Sequence, residues 1–359
     1  MCESESEMKR PLPEDGTFRS VTRVLHRKWQ RLLGSVRAVA SDCPVQVGYF
    51  RNAEFERRLS ELAPAHDAVF AHLIRTASYL DVCRSPKLLE MTDAISLSYS
   101  RTAQKRGYLL GAAYNAESRR LFSYERALIN QCDLTILVSE VDRDYLVSDA
   151  PSRQKVMVCC NGVDLDKFPF NYSPDGRTII FIGKNFAFYN VDAILNFVER
   201  ILPLVRLRFP ETKFKVIGQI GSSLKRRLQK QEVIVTGGVD DIAQVARNAS
   251  IGVCPLRVGA GVQNKILEYM ALGIPTVTSG IGAEGLAAQP GHHLLVANEP
   301  EQWSEQICRL FSNPAIGHEL AHRGREYVEK NHSWSALVEP LKEGVLELLQ
   351  KQKEGRLRY

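Results

Sequence analysis

The residues best equipped for chemistry lie in one run, Cys254-Pro255-Leu256-Arg257-Val258-Gly259-Ala260-Gly261-Val262-Gln263-Asn264-Lys265-Ile266-Leu267-Glu268-Tyr269-Met270-Ala271-Leu272-Gly273-Ile274-Pro275-Thr276-Val277. It reads as strand, glycine loop, helix, glycine stop, proline and strand. Gly259, Ala260 and Gly261 carry no bulk, so a ligand can approach the backbone closely. The helix that opens there has unpaired N–H groups and the positive end of its dipole. That predicts an anion site suited to a diphosphate. Lys265 sits one turn into the helix and Glu268 three residues later, so both share a face. Lys265 can neutralise phosphate. Glu268 would be repelled by it, and a neutral diol such as that of a ribose is the sensible partner. The plain alternative is a Lys265–Glu268 ion pair on the helix surface, and these two residues alone do not decide between the readings.

Strands alternate with helices along the whole chain, the pattern of a parallel α/β sheet. In the first half, strands are predicted at Val45–Phe50, Asp67–Ala71, Lys87–Met91, Leu134–Val138 and Val156–Cys159, with helices at 52–62 and 114–131. Asn161-Gly162-Val163-Asp164 is a turn signal. The run Phe168 to Asp175, with two prolines, reads as an interdomain linker. A second series follows, with strands at 178–182, 213–217, 232–236, 251–255, 274–278 and 293–296. Its helices are near 190–208, 222–230, 240–248, 262–272, 300–312, 315–330 and 334–352. Two consecutive doubly wound domains account for this simply. Ligands of such sheets sit at the carboxyl ends of the strands.

Residues 17–40 read as an amphipathic helix. Val21, Leu25, Trp29, Leu32, Val36 and Val39 recur at helical spacing, against Arg19, Arg23, Arg27, Lys28, Arg31 and Arg37. One reading is a packed helix with a solvated basic face; the other is a helix lying on a membrane surface.

Composition narrows the classes. The 359 residues suffice for two domains of roughly 100–200 residues each. No apolar run approaches the ~18–20 residues of a membrane span. Met1 to Gly16 is polar and acidic without an apolar core, unlike a secretory signal. The eight cysteines form no CxxC pair, which sets zinc and disulfide frameworks aside in favour of reduced thiols in a cytoplasmic protein. The net charge of +6 suits anionic ligands or an anionic membrane. No basic block is interleaved with aromatics, so no nucleic-acid partner is expected. No GxSxG elbow is present.

From about Asn161 to Pro340 the chain resembles the retaining GT-B glycosyltransferases of family four. The pieces that carry the resemblance come in order. They are Asn161-Gly162-Val163-Asp164, Phe181-Ile182-Gly183-Lys184, Val216-Ile217-Gly218, Thr236-Gly237-Gly238-Val239-Asp240-Asp241, and Lys265 through Pro275. The resemblance implies two Rossmann-like doubly wound parallel-sheet domains facing across a cleft. The N-terminal acceptor-side domain would take residues 1–168 and the nucleotide-sugar domain 169–335, with a C-terminal helix at 336–359 that packs back on the first. It implies transfer of a sugar from a UDP- or GDP-type donor to a cell-envelope glycan or lipid-linked acceptor, with no cofactor and no metal. Gly183 and Lys184 would contact the phosphates, and Val239 would lie where backbone holds the base. Gly261 belongs to the donor loop, Val262 and Gln263 would present N–H groups to the sugar, Asn264 and Lys265 would hold the diphosphate, and Glu268 the ribose. Asp240-Asp241 fits the base turn better than a metal pair.

The chain also departs from that pattern. In the family's Glu-x7-Glu motif, Glu268 is the second member, but Ala260 stands at the first. The basic residue expected a few positions after Lys184 is missing from Phe186 to Asn190. Residues 67–101 look like a subset of these enzymes that builds surface polysaccharides. His72, Arg75, Asp93, Ser96 and Arg101 lie there at or after strand ends, on the acceptor side. Thr92-Asp93 replaces the histidine of many relatives. Asp93 would accept a bond from the acceptor hydroxyl or donor sugar, or else cap the next helix. Nothing before Val45 reads as the strand and glycine loop with which the family opens, so the N-terminal sheet is expected to be short, with helix 17–40 over its edge. A catalytically impaired GT-B scaffold is the alternative.

Overall fold

The computed structural model describes residues 1–11 and 16–356. Residues 12–15 of the acidic Met1–Gly16 stretch, and 357–359 of the last segment, lie outside the described residues. Contacts divide the chain into two units. The first comprises Met1–Leu137, Arg143–Val158 and Glu343–Tyr359; the second comprises Val138–Asp142 and Cys159–Lys342.

The first unit includes α1 (Lys28–Val39), α2 (Val45–Tyr49), α3 (Ala53–Leu62), β1 (Val69–His72), α4 (Ile74–Ala77) and β2 (Lys87–Thr92). They continue with α5 (Ile95–Ala103), α6 (Tyr108–Gln131), β3 (Leu134–Leu137) and β4 (Val156–Val158). The strands pair in parallel in the order β1-β2-β3-β4. Leu89, Met91, Leu121, Leu128, Ile129 and Leu137 lie in the core between sheet and helices.

Two expectations fail here. Val45–Phe50 is helix, not strand. Its apolar residues alternate, but Pro44 at the cap starts a turn of helix, and Gly48 then meets Gly34 of α1 backbone to backbone. A side chain on Gly34 would come within 2.1 Å of the Gly48 carbonyl oxygen, a contact only two helices bearing glycine can make. The basic helix is also shorter than 17–40. Residues 17–27 are not helical, and α1 starts at Lys28. Its small residues face the protein and its large ones do not: Trp29, Leu32, Leu33, Val36 and Val39 are exposed. The helix is packed, as one reading expected, but through its small residues, and its solvated face is apolar as well as basic.

The second unit holds β5 (Thr178–Ile182), α7 (Phe188–Asn196), which runs through a π-helical stretch into α8 (Leu202–Arg208), β6 (Lys213–Ile217), α9 (Ser222–Gln229) and β7 (Val233–Gly237). Then come α10 (Ile242–Ala246), β8 (Ile251–Cys254), α11 (Asn264–Leu272), β9 (Thr276–Thr278), β10 (Leu295–Val296), α12 (Pro300–Ser312), α13 (Pro314–Asn331) and the start of α14 (Trp334–Arg356), whose residues from Glu343 on belong to the first unit. All strands are parallel, in the order β10-β9-β8-β5-β6-β7. The Ile179-Ile180-Phe181-Ile182 run is buried on both faces, as central parallel strands covered by helices require. Gly273 ends α11 in the left-handed conformation, with φ of 76°.

Candidate functional site

From β5 the chain moves outward through β6 and β7, then returns to β8 on the other side of β5. The connection reverses direction between β5 and β8, and a ligand crevice forms at the carboxyl ends of strands at such a point. The two strands pair only at Ile179↔Ile251 and Ile180↔Gly252. Beyond that, the Tyr269 hydroxyl of α11 sits between them. It accepts the Ile182 N–H at 2.8 Å and donates to the Val253 carbonyl at 3.3 Å. A helix is thereby bolted to the two strands that border the crevice.

The loop after β8 is held from the other side. Arg257 makes a two-pronged ion pair with Asp192 of α7, with Nε donating to Oδ2 at 2.9 Å and Nη2 to Oδ1. The loop then turns through Gly259 and Gly261, with φ of 146° and 68°. At the start of α11, Gln263 occupies the cap position without a side-chain capping bond. The helix therefore offers N–H groups to a ligand, and its dipole favours an anion there.

Lys265 is only 7% exposed. Its ammonium donates to Asn190 Oδ1 and Gln263 Oε1, both at 3.3 Å, and lies over the Phe181 ring at 5.2 Å. These partners are neutral. No ion pair of Lys265 exists among the described residues, so the Lys265–Glu268 surface bridge is not formed. Taking an ammonium out of water without a counter-charge is costly, and an anionic ligand offsets that cost.

Asn190 was not singled out from the sequence. Its Nδ2 donates to the Lys184 carbonyl at 3.0 Å while its Oδ1 holds Lys265. It thus ties the loop after β5 to the first turn of α11. The stretch that lacks the expected basic residue supplies this buried amide instead. Gly183 precedes the loop. A side chain on Gly218, at the end of β6, would lie 2.1 Å from the Gly183 carbonyl oxygen, and Gly218 has φ of 116°. Only glycine fits there.

Lys184 is exposed in the loop after β5. Gly261, Val262 and Gln263 lie in the loop beside Lys265. Asn264 is exposed and its Oδ1 accepts from Asn161 Nδ2 at 2.7 Å, tying the 161–164 turn to α11. Glu268 follows one turn along the helix from Lys265 and is partly buried. Burial pushes its carboxyl above the usual carboxylate range, while the charges of Lys265 and Lys167 act in the opposite direction. Val239 is half-buried in the turn after β7, packed on the core.

The first unit places its candidates at the ends of β1 and β2. The His72 Nδ1 contacts Glu90 Oε2, and Thr92 donates to the other Glu90 oxygen at 2.8 Å. Leu73 and Thr92 next to them have φ of 67° and 69°, the kind of backbone strain that collects at functional sites. Sequence reasoning named His72 but missed Glu90, whose position inside a strand gave no signal. Arg75 is engaged in packing: its Nε donates to Gln46 at 3.1 Å and its guanidinium lies over Phe50. Asp93 is not the helix cap; Ala94 is. The start of α5 is satisfied by buried Glu125, which accepts from the Ser96 N–H at 3.3 Å and from the Ser96 hydroxyl. Arg101 lies in the last turn of α5 and is half-buried.

The parallel sheets, the order reversal and the helix-end site define the GT-B fold. It is shared with sucrose-phosphate synthase from Thermosynechococcus elongatus, at 17% identity and a TM-score of 0.67, covering 82% of this chain and 80% of that one. It is shared with HepE from Anabaena, solved in complex with UDP and glucose, at 12% identity and a TM-score of 0.65, covering 81% of each chain. Residues 176–313 match the family model "Glycosyl transferases group 1". An uncharacterised 44.6 kDa protein in the cps region of Klebsiella pneumoniae is 23% identical over 223 residues, a match that spans 59% of this chain and 56% of that relative. The chain thus has the GT-B fold, and the match to the glycosyl transferase group 1 model lies in its second unit.

Proposed function

We propose that the protein transfers a sugar, with retention of configuration and without a metal, from a nucleotide diphosphate sugar to a cell-envelope glycan or lipid-linked acceptor. The observation that carries this is the buried Lys265 ammonium at an uncapped helix start, held by neutral amides and in no ion pair among the described residues. A diphosphate would supply the direct partner. As the bond from the sugar's anomeric carbon to the phosphate oxygen breaks, negative charge grows on the departing nucleotide. Lys265 and the N–H groups of α11 then bind it more strongly than in the ground state, which is what lowers the barrier. Lys184 would reach the same phosphates, Asn264 would flank them, and Glu268 would accept from the ribose hydroxyls. HepE, bound to UDP and glucose, supports a uridine donor, and the cps-region relative supports polysaccharide assembly. A lipid-linked acceptor would bring the enzyme to the inner face of a membrane.

Ala260 favours a second reading, a GT-B protein that binds the nucleotide sugar without turning it over, because the loop lacks the carboxylate that meets the donor sugar in the resembled family. Calorimetric titration with UDP, GDP and their sugar conjugates, followed by a product assay, separates the readings. Micromolar binding, about −8 kcal/mol, with metal-independent donor hydrolysis or transfer supports the enzyme. Binding without turnover supports the second reading. Absence of binding to every nucleotide rejects both.

A further inference from the structure

Helix α1 is amphipathic with its sides reversed. In a packed surface helix the large apolar residues face the core. Here the contact with α2 is made by Gly34 and Ala38, and a side chain on Gly48 would lie 2.5 Å from the Ala38 Cβ. Arg31 lies on this inward side, ion-paired with Glu3 and bonded to Tyr49. Trp29, Leu32, Leu33, Val36 and Val39 form one contiguous arc on the opposite side at 100° per residue. They are 59%, 58%, 41%, 67% and 60% exposed. Five large apolar side chains on twelve residues give a stripe facing away from the protein.

The edges of the stripe are cationic. Lys28 flanks it on one side and Arg37 on the other, both exposed, and exposed Arg27 precedes the helix. Long cationic side chains beside an apolar stripe can bury their stems while keeping their charge at a polar, anionic boundary. A tryptophan in such a stripe suits the same boundary. A second copy of the chain fits poorly, because a two-fold contact through this face would set its cationic edges against each other. We propose that the exposed face of α1 docks on an anionic lipid surface, with the apolar stripe at the acyl boundary and Arg27, Lys28 and Arg37 among the headgroups.

Its use in transfer rests on the lipid-linked-acceptor reading, but lipid binding itself does not, so the test omits donor and acceptor. The full-length chain is sedimented with vesicles of phosphatidylcholine alone and of phosphatidylcholine mixed with phosphatidylglycerol. It is expected to pellet with the anionic vesicles and to release as salt rises. The combined substitution Trp29→Gln, Leu32→Gln and Val36→Gln removes only exposed groups, and Arg27→Glu with Lys28→Glu reverses one edge. Each set should weaken vesicle binding at least about tenfold with nucleotide affinity unchanged, which shows the variants are folded. The proposal is overturned if the wild-type chain stays in solution with anionic vesicles at low salt. It is equally overturned if the apolar variant still pellets, or if the wild type dimerises through this face and the variant does not. Loss of nucleotide binding in the wild type would strike the transferase reading and leave lipid binding standing.

Discussion

The two units handle their buried polar groups differently. In the second, Lys265 is withdrawn from water yet given only neutral partners, and the helix behind it starts uncapped. In the first, Glu125 is withdrawn from water and fully engaged, accepting from the Ser96 N–H and hydroxyl. The His72–Glu90–Thr92 chain is likewise closed on itself at Glu90. At Glu125 the fold supplies the hydrogen-bond partners itself, and burial favours the neutral carboxyl. If Lys265 is held for an anion, as proposed, its burial without an ion pair costs stability until that ligand binds.

The sharpest way to break this contrast is at Lys265. Lys265→Ala should weaken nucleotide diphosphate binding about 10- to 100-fold, the loss of a charged hydrogen bond. Lys265→Met, similar in length and uncharged, should raise the melting temperature of the unliganded protein, because a buried charge held without an ion pair is gone. If Lys265→Met melts lower and binds UDP or GDP as well as wild type, the ammonium is not held for an anion.

Tyr269→Phe removes the acceptor for the buried Ile182 N–H. An orphaned donor costs about 1–3 kcal/mol, which denaturant unfolding should show, with nucleotide affinity falling as the crevice loosens. An unchanged midpoint would mean that α11 is held by apolar packing alone.

Glu268→Ala should lower affinity for a ribonucleotide diphosphate by about tenfold, the value of one good hydrogen bond to a charged group. It should cost almost nothing for the 2′,3′-dideoxy analogue, which offers neither hydroxyl. Equal losses with both ligands would remove the ribose role.

The smallest effect belongs to the first unit. Burial raises the Glu125 carboxyl to about 7, against the opposing bonds from Ser96, and Asp93 adds repulsion. The folded value lies above the unfolded one, so the protonated form is favoured on folding. That stability is fully present below the unfolded value, near 4.5, and is lost as pH rises through about 7. Thermal melts between pH 5 and 8 should show the decline, and Glu125→Gln should flatten it. A variant with the wild-type slope would assign the pH dependence to another group.

Local chemistry was legible wherever one short segment carried the whole feature. The glycine loop, the helix of Lys265 and Glu268, and the glycine that ends it follow from small residues, helical spacing and a residue tolerant of positive φ. The alternating elements of the second half were read correctly because short β-branched and apolar segments such as Ile179–Ile182 alternate with longer helical patterns between turn signals. Val45–Phe50 misled because five alternating residues do not distinguish a strand from a turn of helix, and the deciding contact comes from Gly34. The apolar periodicity of α1 was visible, but the sequence does not say which side of a helix meets the protein.

What the sequence alone determined is therefore the local segment: a helix start after a glycine loop, with one lysine and one carboxylate on its face. Tertiary structure decided what surrounds those residues. It brought Asn190, 75 positions away from Lys265, to hold the ammonium, and it put Tyr269 between β5 and β8. It paired Glu90 with His72 across two strands and turned the stripe of α1 outward. The physical reason is that burial and hydrogen-bond satisfaction belong to pairs of groups brought together by the topology, and local spacing does not encode which distant group will arrive.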